Sequence, residues 1–191
     1  MHVTCRIGRD LGSLRTRDLY LAIRAATRLS AQRTDFRIVH LSIQRDHLHM
    51  IVEADHKAAL AKGMQGFAIS AARQIHRALR ARTGARRRGA VFTDRYHPRV
   101  LGSPTQVRRA IAYVVNNWRR HGEDRSPSYA GWTVDLFASG VSFEGWAEAQ
   151  TYRPPPTYEP LIVAKPRSWV LAGGWQRAGG PISMYAVPGP I

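Results

Sequence analysis

Two alternating runs separated by only two residues fix the centre of this chain. From Phe36 to Gln44, Val39, Leu41 and Ile43 alternate with His40, Ser42 and Gln44, and from His47 to Glu53 the pattern resumes with Leu48, Met50 and Val52 on the apolar side. A period of two marks a half-buried strand, and the two-residue connection Arg45-Asp46 admits only a tight antiparallel hairpin. The apolar face of such a hairpin must be covered, and the flanking segments supply the cover. Val3, Cys5 and Ile7 alternate with His2, Thr4 and Arg6 as a further strand. Leu19, Leu21, Ile23, Ala26 and Leu29 give a helix between Thr16 and Ala31, and Ala58 to Arg82 is rich in strong helix formers, weakened early by Gly63 and Gly66. Val91 to Leu101 reads as a fourth strand or twisted pair, demoted to an edge by Pro98. Ser103-Pro104 is a helix start and Gly122 a stop. The order βαββαβα predicts an α+β, ferredoxin-like antiparallel sheet with helices on one face, over residues 1–122. Residues 123–191 are rich in proline and carry Trp132, Trp146, Trp169 and Trp175. They read as an irregular extension docked through aromatic anchors, with a short helix near Ser168 to Leu171.

Composition narrows the partners. There are 29 Lys+Arg against 13 Asp+Glu, a net charge of +16, yet 44% of residues are hydrophobic, so a folded protein meeting a polyanion is expected. Cys5 alone excludes a disulfide framework and a multi-cysteine zinc site. The longest apolar stretch, Ala110 to Val115, is too short for a membrane span, and a cytoplasmic protein is expected. From Lys57 to Thr93 no acid interrupts Lys57, Lys62, Arg73, Arg77, Arg80, Arg82, Arg86, Arg87 and Arg88. A solvated face normally mixes signs, so phosphate contact is the better reading, with Arg73, Arg77, Arg80, Arg86, Arg87 and Arg88 as DNA-binding candidates. Arg95-Tyr96-His97-Pro98-Arg99 sets an aromatic among cations, a pattern suited to unpaired bases, and adds Arg95, His97 and Arg99.

Two local patterns carry chemistry. In His47-Leu48-His49 the imidazoles point the same way and can share one metal. In the helix from Pro104 to His121, Val107, Ile111, Val114, Val115 and Trp118 form the buried stripe. Tyr113 lies nearly opposite, sharing a polar stripe with Gln106, Arg109, Asn117 and Arg120. A phenol among amides and guanidinium groups can be held near a phosphate, and Arg109 and Arg120 join the DNA-binding candidates.

In their order along the chain, Asp46-His47-Leu48-His49, Phe92-Thr93-Asp94-Arg95-Tyr96-His97 and Tyr113-Val114-Val115-Asn116-Asn117 resemble the IS200-type single-tyrosine transposases, closest to the REP-associated branch. The resemblance covers residues 2–121. It implies a single-strand DNA endonuclease and strand transferase in which Tyr113 attacks phosphorus and leaves a 5′-phosphotyrosine and a free 3′-OH. It also implies that His47 and His49 hold a divalent ion, Mg²⁺ or Mn²⁺, completed by Asn117. The implied partner is single-stranded or hairpin DNA, bound by a monomer or homodimer. The chain departs from the family in having Asp46 where Asn is common, in beginning almost inside its first strand, and in its long extension. The contrasting expectation is a domesticated, inactive nucleic-acid-binding protein of the same fold. An RRM-like RNA-binding sheet is disfavoured, because the strands present His, Ser and Thr rather than paired aromatics.

Overall fold

The computed structural model describes residues 1–149 and 151–191. Four strands, β1 (His2–Arg6), β2 (Phe36–Ile43), β3 (His47–Ala54) and β4 (His97–Arg99), form one sheet in the order β2-β3-β1-β4, with every neighbouring pair antiparallel. Three long helices, α1 (Arg17–Ser30), α2 (Lys57–Thr83) and α3 (Pro104–Arg120), complete the expected βαββαβα order. This is the α+β, ferredoxin-like arrangement.

The helices divide between the faces, whereas the sequence pattern suggested one. α1 and α2 cover one face, where Leu19, Ile23, Met64, Phe67 and Ile75 pack on Val3, Cys5, Leu41, Leu48 and Met50. α3 lies on the other, its Val107, Ile111, Val114 and Val115 clustering with Ile51 of β3. Within α1, Tyr20 and Ala22 are buried while Leu21 and Leu29 are 39% and 49% exposed, so the core stripe is shifted from the expected one. In β2 a bulge between Ile38 and His40 resets the alternation. Ile38, Leu41 and Ile43 therefore face the helices, and Val39 falls outside that core.

α2 runs unbroken through both glycines. At Gly63 a Cβ would stand 2.2 Å from Cγ of the fully buried Phe36, so only glycine lets α2 approach the sheet there. The expected fourth strand contracts to three residues, with Phe92 making only an isolated bridge to Ile7. α3 begins as read: Ser103 Oγ accepts from Gln106 N, Pro104 opens the first turn, and Gly122 follows in the left-handed region at φ 68°.

The described residues beyond Gly122 form short 3₁₀ turns and one short helix, α4 (Trp169–Ala172), close to the expected Ser168–Leu171. They cover the β2 edge, where Ile43 N donates to Phe137 O and Ala164 N to Ile38 O. Leu171, Trp175 and Ile182 pack on α3. Arg15 and Asp135 join this segment to residues 1–122 through a two-pronged ion pair, 2% and 1% exposed. No helix is long and apolar enough to cross a membrane among the described residues.

Candidate active site

The site lies between β3 and α3. Alternation along β3 puts His47 and His49 on the face opposite α1 and α2, and their Nε2 atoms approach to 2.9 Å. The other ring nitrogens are engaged: Asp46 Oδ1 is 2.6 Å from His47 Nδ1, and His49 Nδ1 is 3.2 Å from both His2 Nε2 and Thr4 Oγ1. Thr4 stands directly across from His49 in the β1–β3 register. The His2 and His49 rings stack with centroids 5.2 Å apart.

Tyr113 and Asn117 of α3 and His121, the residue that follows its end, are each four residues apart and form one row. The Tyr113 hydroxyl is 3.5 Å from His49 Nε2, and the His121 ring lies 5.9 Å from the His47 ring. Asn117 falls between them along the helix and is 0% exposed, and among the described residues neither its amide oxygen nor its amide nitrogen has a hydrogen-bond partner. The sequence pattern put Asn117 on a polar stripe; packing against the sheet buries it. An unpartnered buried amide costs about 1–3 kcal/mol and calls for a missing partner.

Burial is the main cause that lowers the His49 pKa to about 2, with the neighbouring His47 and His2 adding to it. His2 is lowered to about 4, chiefly by burial and then by the terminal amine and Arg99. The hydrogen bond from His47 holds the Asp46 carboxyl below its usual range. A neutral imidazole is the form that ligates a metal.

These residues suit a divalent ion. Adjacent ligands of an octahedral ion with bonds of about 2.1 Å stand about 3 Å apart, the spacing of the two Nε2 atoms, and the buried Asn117 amide would offer an oxygen donor. Among the described residues no three His, Cys, Asp or Glu side chains converge on one point, so an ion here would draw on the two imidazoles and an amide oxygen.

The cations fall into separate groups. His97, Arg99 and Tyr113 line a groove of about 340 Å³ together with His2, His49, Pro190 and Ile191. Arg120 donates to Pro188 O at 3.1 Å, and its guanidinium carbon lies 6.0 Å from the Tyr113 ring centroid. Arg109 and Arg95 are exposed. Arg73, Arg77 and Arg80 project from the exposed side of α2, in the layer across the sheet from Tyr113. Arg86 and Arg88 are exposed, whereas Arg87 is bound to Asp10 at 2.7 Å and to the carbonyls of Gly89 and Ala90. A second groove, of about 710 Å³, opens at the hairpin end beside Arg45, His47, His121 and Arg125. His121 was not among the expected site residues; its spacing of eight from Tyr113, two helical turns, was the available signal.

Fold and site together define a basic α+β protein that presents a tyrosine and paired histidines on one sheet face. Residues 10–117 match the family of IS200-like transposases, from just before α1 to Asn117, and the chain belongs to that family. No curated protein and no solved structure matches the chain. Membership brings DNA as the partner and DNA cleavage and joining as the family's chemistry.

Proposed function

We propose that this transposase is a metal-dependent single-strand DNA endonuclease and strand transferase of the REP-associated type, with Tyr113 as nucleophile and single-stranded or hairpin DNA as substrate. The observation that carries this reading is the Tyr113 hydroxyl 3.5 Å from His49 Nε2, beside a second Nε2 at 2.9 Å, with the buried Asn117 amide, unpartnered among the described residues, one helical turn on from Tyr113. His47, His49 and Asn117 would hold Mg²⁺ or Mn²⁺, which supplies Lewis-acid stabilisation of charge on a phosphate. The Tyr113 oxygen forms a bond to phosphorus as the bond from phosphorus to the 3′ oxygen breaks. The phenolic proton passes to solvent, and the departing 3′ oxygen takes one up. One phosphodiester is exchanged for a phosphotyrosyl ester, so rejoining needs no ATP. Arg120, close to the Tyr113 ring, and Arg99, in the same groove, offer guanidinium groups to the phosphate. Catalysis of this kind rests on positioning and charge.

The test uses hairpin DNA labelled at its 5′ or 3′ end, incubated with Mn²⁺ and resolved under denaturing conditions. The wild type should form an adduct carrying the 3′ portion of the cut strand through its 5′ phosphate. Tyr113→Phe removes one oxygen and should abolish the adduct while DNA affinity persists. An adduct from the Phe variant would place the nucleophile elsewhere, with Tyr96 next in line. A wild type that forms no adduct on any hairpin would leave the domesticated binding protein as the better reading.

A further inference from the structure

We infer that Asp46 is a positioning residue for His47: its carboxylate fixes the ring with the proton on Nδ1 and the lone pair of Nε2 turned toward His49. The inference rests on the metal reading above for its purpose, and on geometry for its content. Asp46 Oδ1 lies 2.6 Å from His47 Nδ1, just under the roughly 2.7–2.9 Å usual for a charge-assisted N–H···O bond. An ionised carboxylate only accepts, so the proton of this bond belongs to the imidazole, and a neutral His47 must carry it on Nδ1. Nε2 is then unprotonated, 2.9 Å from His49 Nε2. A carboxylate behind a histidine in this way orients a ligand and raises its basicity.

The carboxylate is not needed to build the turn. The main chain holds the connection on its own: Ile7 N donates to Asp46 O at 2.9 Å, Leu14 N to Arg45 O at 2.8 Å, and Gln44 N to His47 O at 2.9 Å. The Asp46 side chain is 62% exposed and its only ion-pair partner among the described residues is His47. An exposed pair of this kind adds little to stability. Arg45, its neighbour in the turn, points to Glu123 instead. Loss of the carboxylate therefore frees the His47 ring without dismantling the hairpin.

The experiment compares the full-length wild type, Asp46→Asn and Asp46→Ala, each labelled with ¹⁵N-histidine. Long-range ¹H–¹⁵N spectra of the metal-free proteins, with His47 assigned through His47→Gln, read the tautomer directly. The wild type should show His47 protonated on Nδ1. Asp46→Ala should lose that preference, and Asp46→Asn, which keeps an accepting oxygen, should restore much of it. Calorimetric titration with Mn²⁺ should show about 10–100-fold weaker binding for the Ala variant and an intermediate value for Asn. Thermal melts of the three should coincide. A wild-type His47 protonated on Nε2, or an Ala variant with unchanged tautomer and unchanged Mn²⁺ affinity, overturns the assignment. The expected spectra with no Mn²⁺ uptake by the wild type would uphold the positioning of His47 and defeat the metal reading alone.

Discussion

Replacing Asp135 by Ala should be among the most damaging single changes in this protein, although Asp135 lies far from the proposed chemistry in sequence. Its carboxylate takes both prongs of Arg15 at 2.9 Å and also accepts from Phe137 N at 3.0 Å. Arg15 additionally donates to Ile43 O at 3.0 Å and to the Tyr129 hydroxyl at 3.3 Å, with its guanidinium carbon 4.5 Å from the Phe137 ring centroid. Truncating Asp135 leaves a guanidinium that is 2% exposed with a carbonyl and a phenol as its remaining acceptors. Breaking one side of such a pair costs about 3–5 kcal/mol, because the surviving charge is neither paired nor solvated. Total stability of a domain is about 5–15 kcal/mol, so the loss is a large share of it. For a chain of this length it corresponds to a fall in melting temperature of about 6–20 °C. Urea unfolding followed by tryptophan fluorescence measures it, since Trp132 stacks on Phe137 beside the pair. The double variant Arg15→Met/Asp135→Leu removes both charges and should recover most of the loss. A decrease below about 1 kcal/mol for Asp135→Ala would refute the argument, as would a double variant no more stable than the single one. The same contacts imply that truncation after Gly122 destabilises the remainder, by stranding Arg15 and uncovering α3.

Gly63→Ala should destabilise by about 1–3 kcal/mol in urea titration because its Cβ would overlap the Phe36 ring, whereas Gly66→Ala, with no atom within 4 Å, should stabilise by up to about 1 kcal/mol. Acid should weaken the fold through histidines withdrawn from solvent. The His40 pKa is lowered by burial to about 4, while an unfolded histidine titrates near 6.5. The unfolded chain therefore binds more protons between these values, and stability is lost as pH falls from about 6.5 to about 4. His2 acts in the same direction. His40→Gln should flatten the pH profile of the melting temperature. The wild-type contribution of His40, which is half-buried as a residue, is at most about 3 kcal/mol. Of the nine cations from Lys57 to Arg88, Arg82 and Arg87 are paired with Asp18 and Asp10, and the other seven have no ion-pair partner among the described residues. If about six meet a single strand, log affinity should fall against log salt with slope about −4. Arg86→Ala/Arg88→Ala should lower its magnitude by about 1.4, and Arg87→Ala should change it little. A slope near zero in filter binding would remove phosphate contact as the driving force.

Much of this protein is written in local pattern. The period-two runs on either side of Arg45-Asp46 dictated the hairpin, and with it the common face of His47 and His49, since alternation along a strand leaves no freedom in side-chain direction. Ser103-Pro104 and Gly122 bounded α3 for equally local reasons, and Tyr113 followed from its position on that helix. Tertiary packing decided the rest. Which face of the sheet α3 occupies depends on contacts between Ile51 and residues more than fifty positions away, and no period within α3 reports that choice. That placement turned Asn117 from a residue on a polar stripe into a buried, unpartnered amide and set Tyr113 over His49. Likewise Arg87 and Asp10 look like free charges in sequence, and only folding brings them 2.7 Å apart. Asp46 shows both influences at once. The sequence makes it a turn residue by position, and the approach of β1, which pins its backbone through Ile7, leaves its carboxylate 2.6 Å from His47. Periodicity fixes direction along an element, whereas the partner a side chain meets is set by segments distant in sequence.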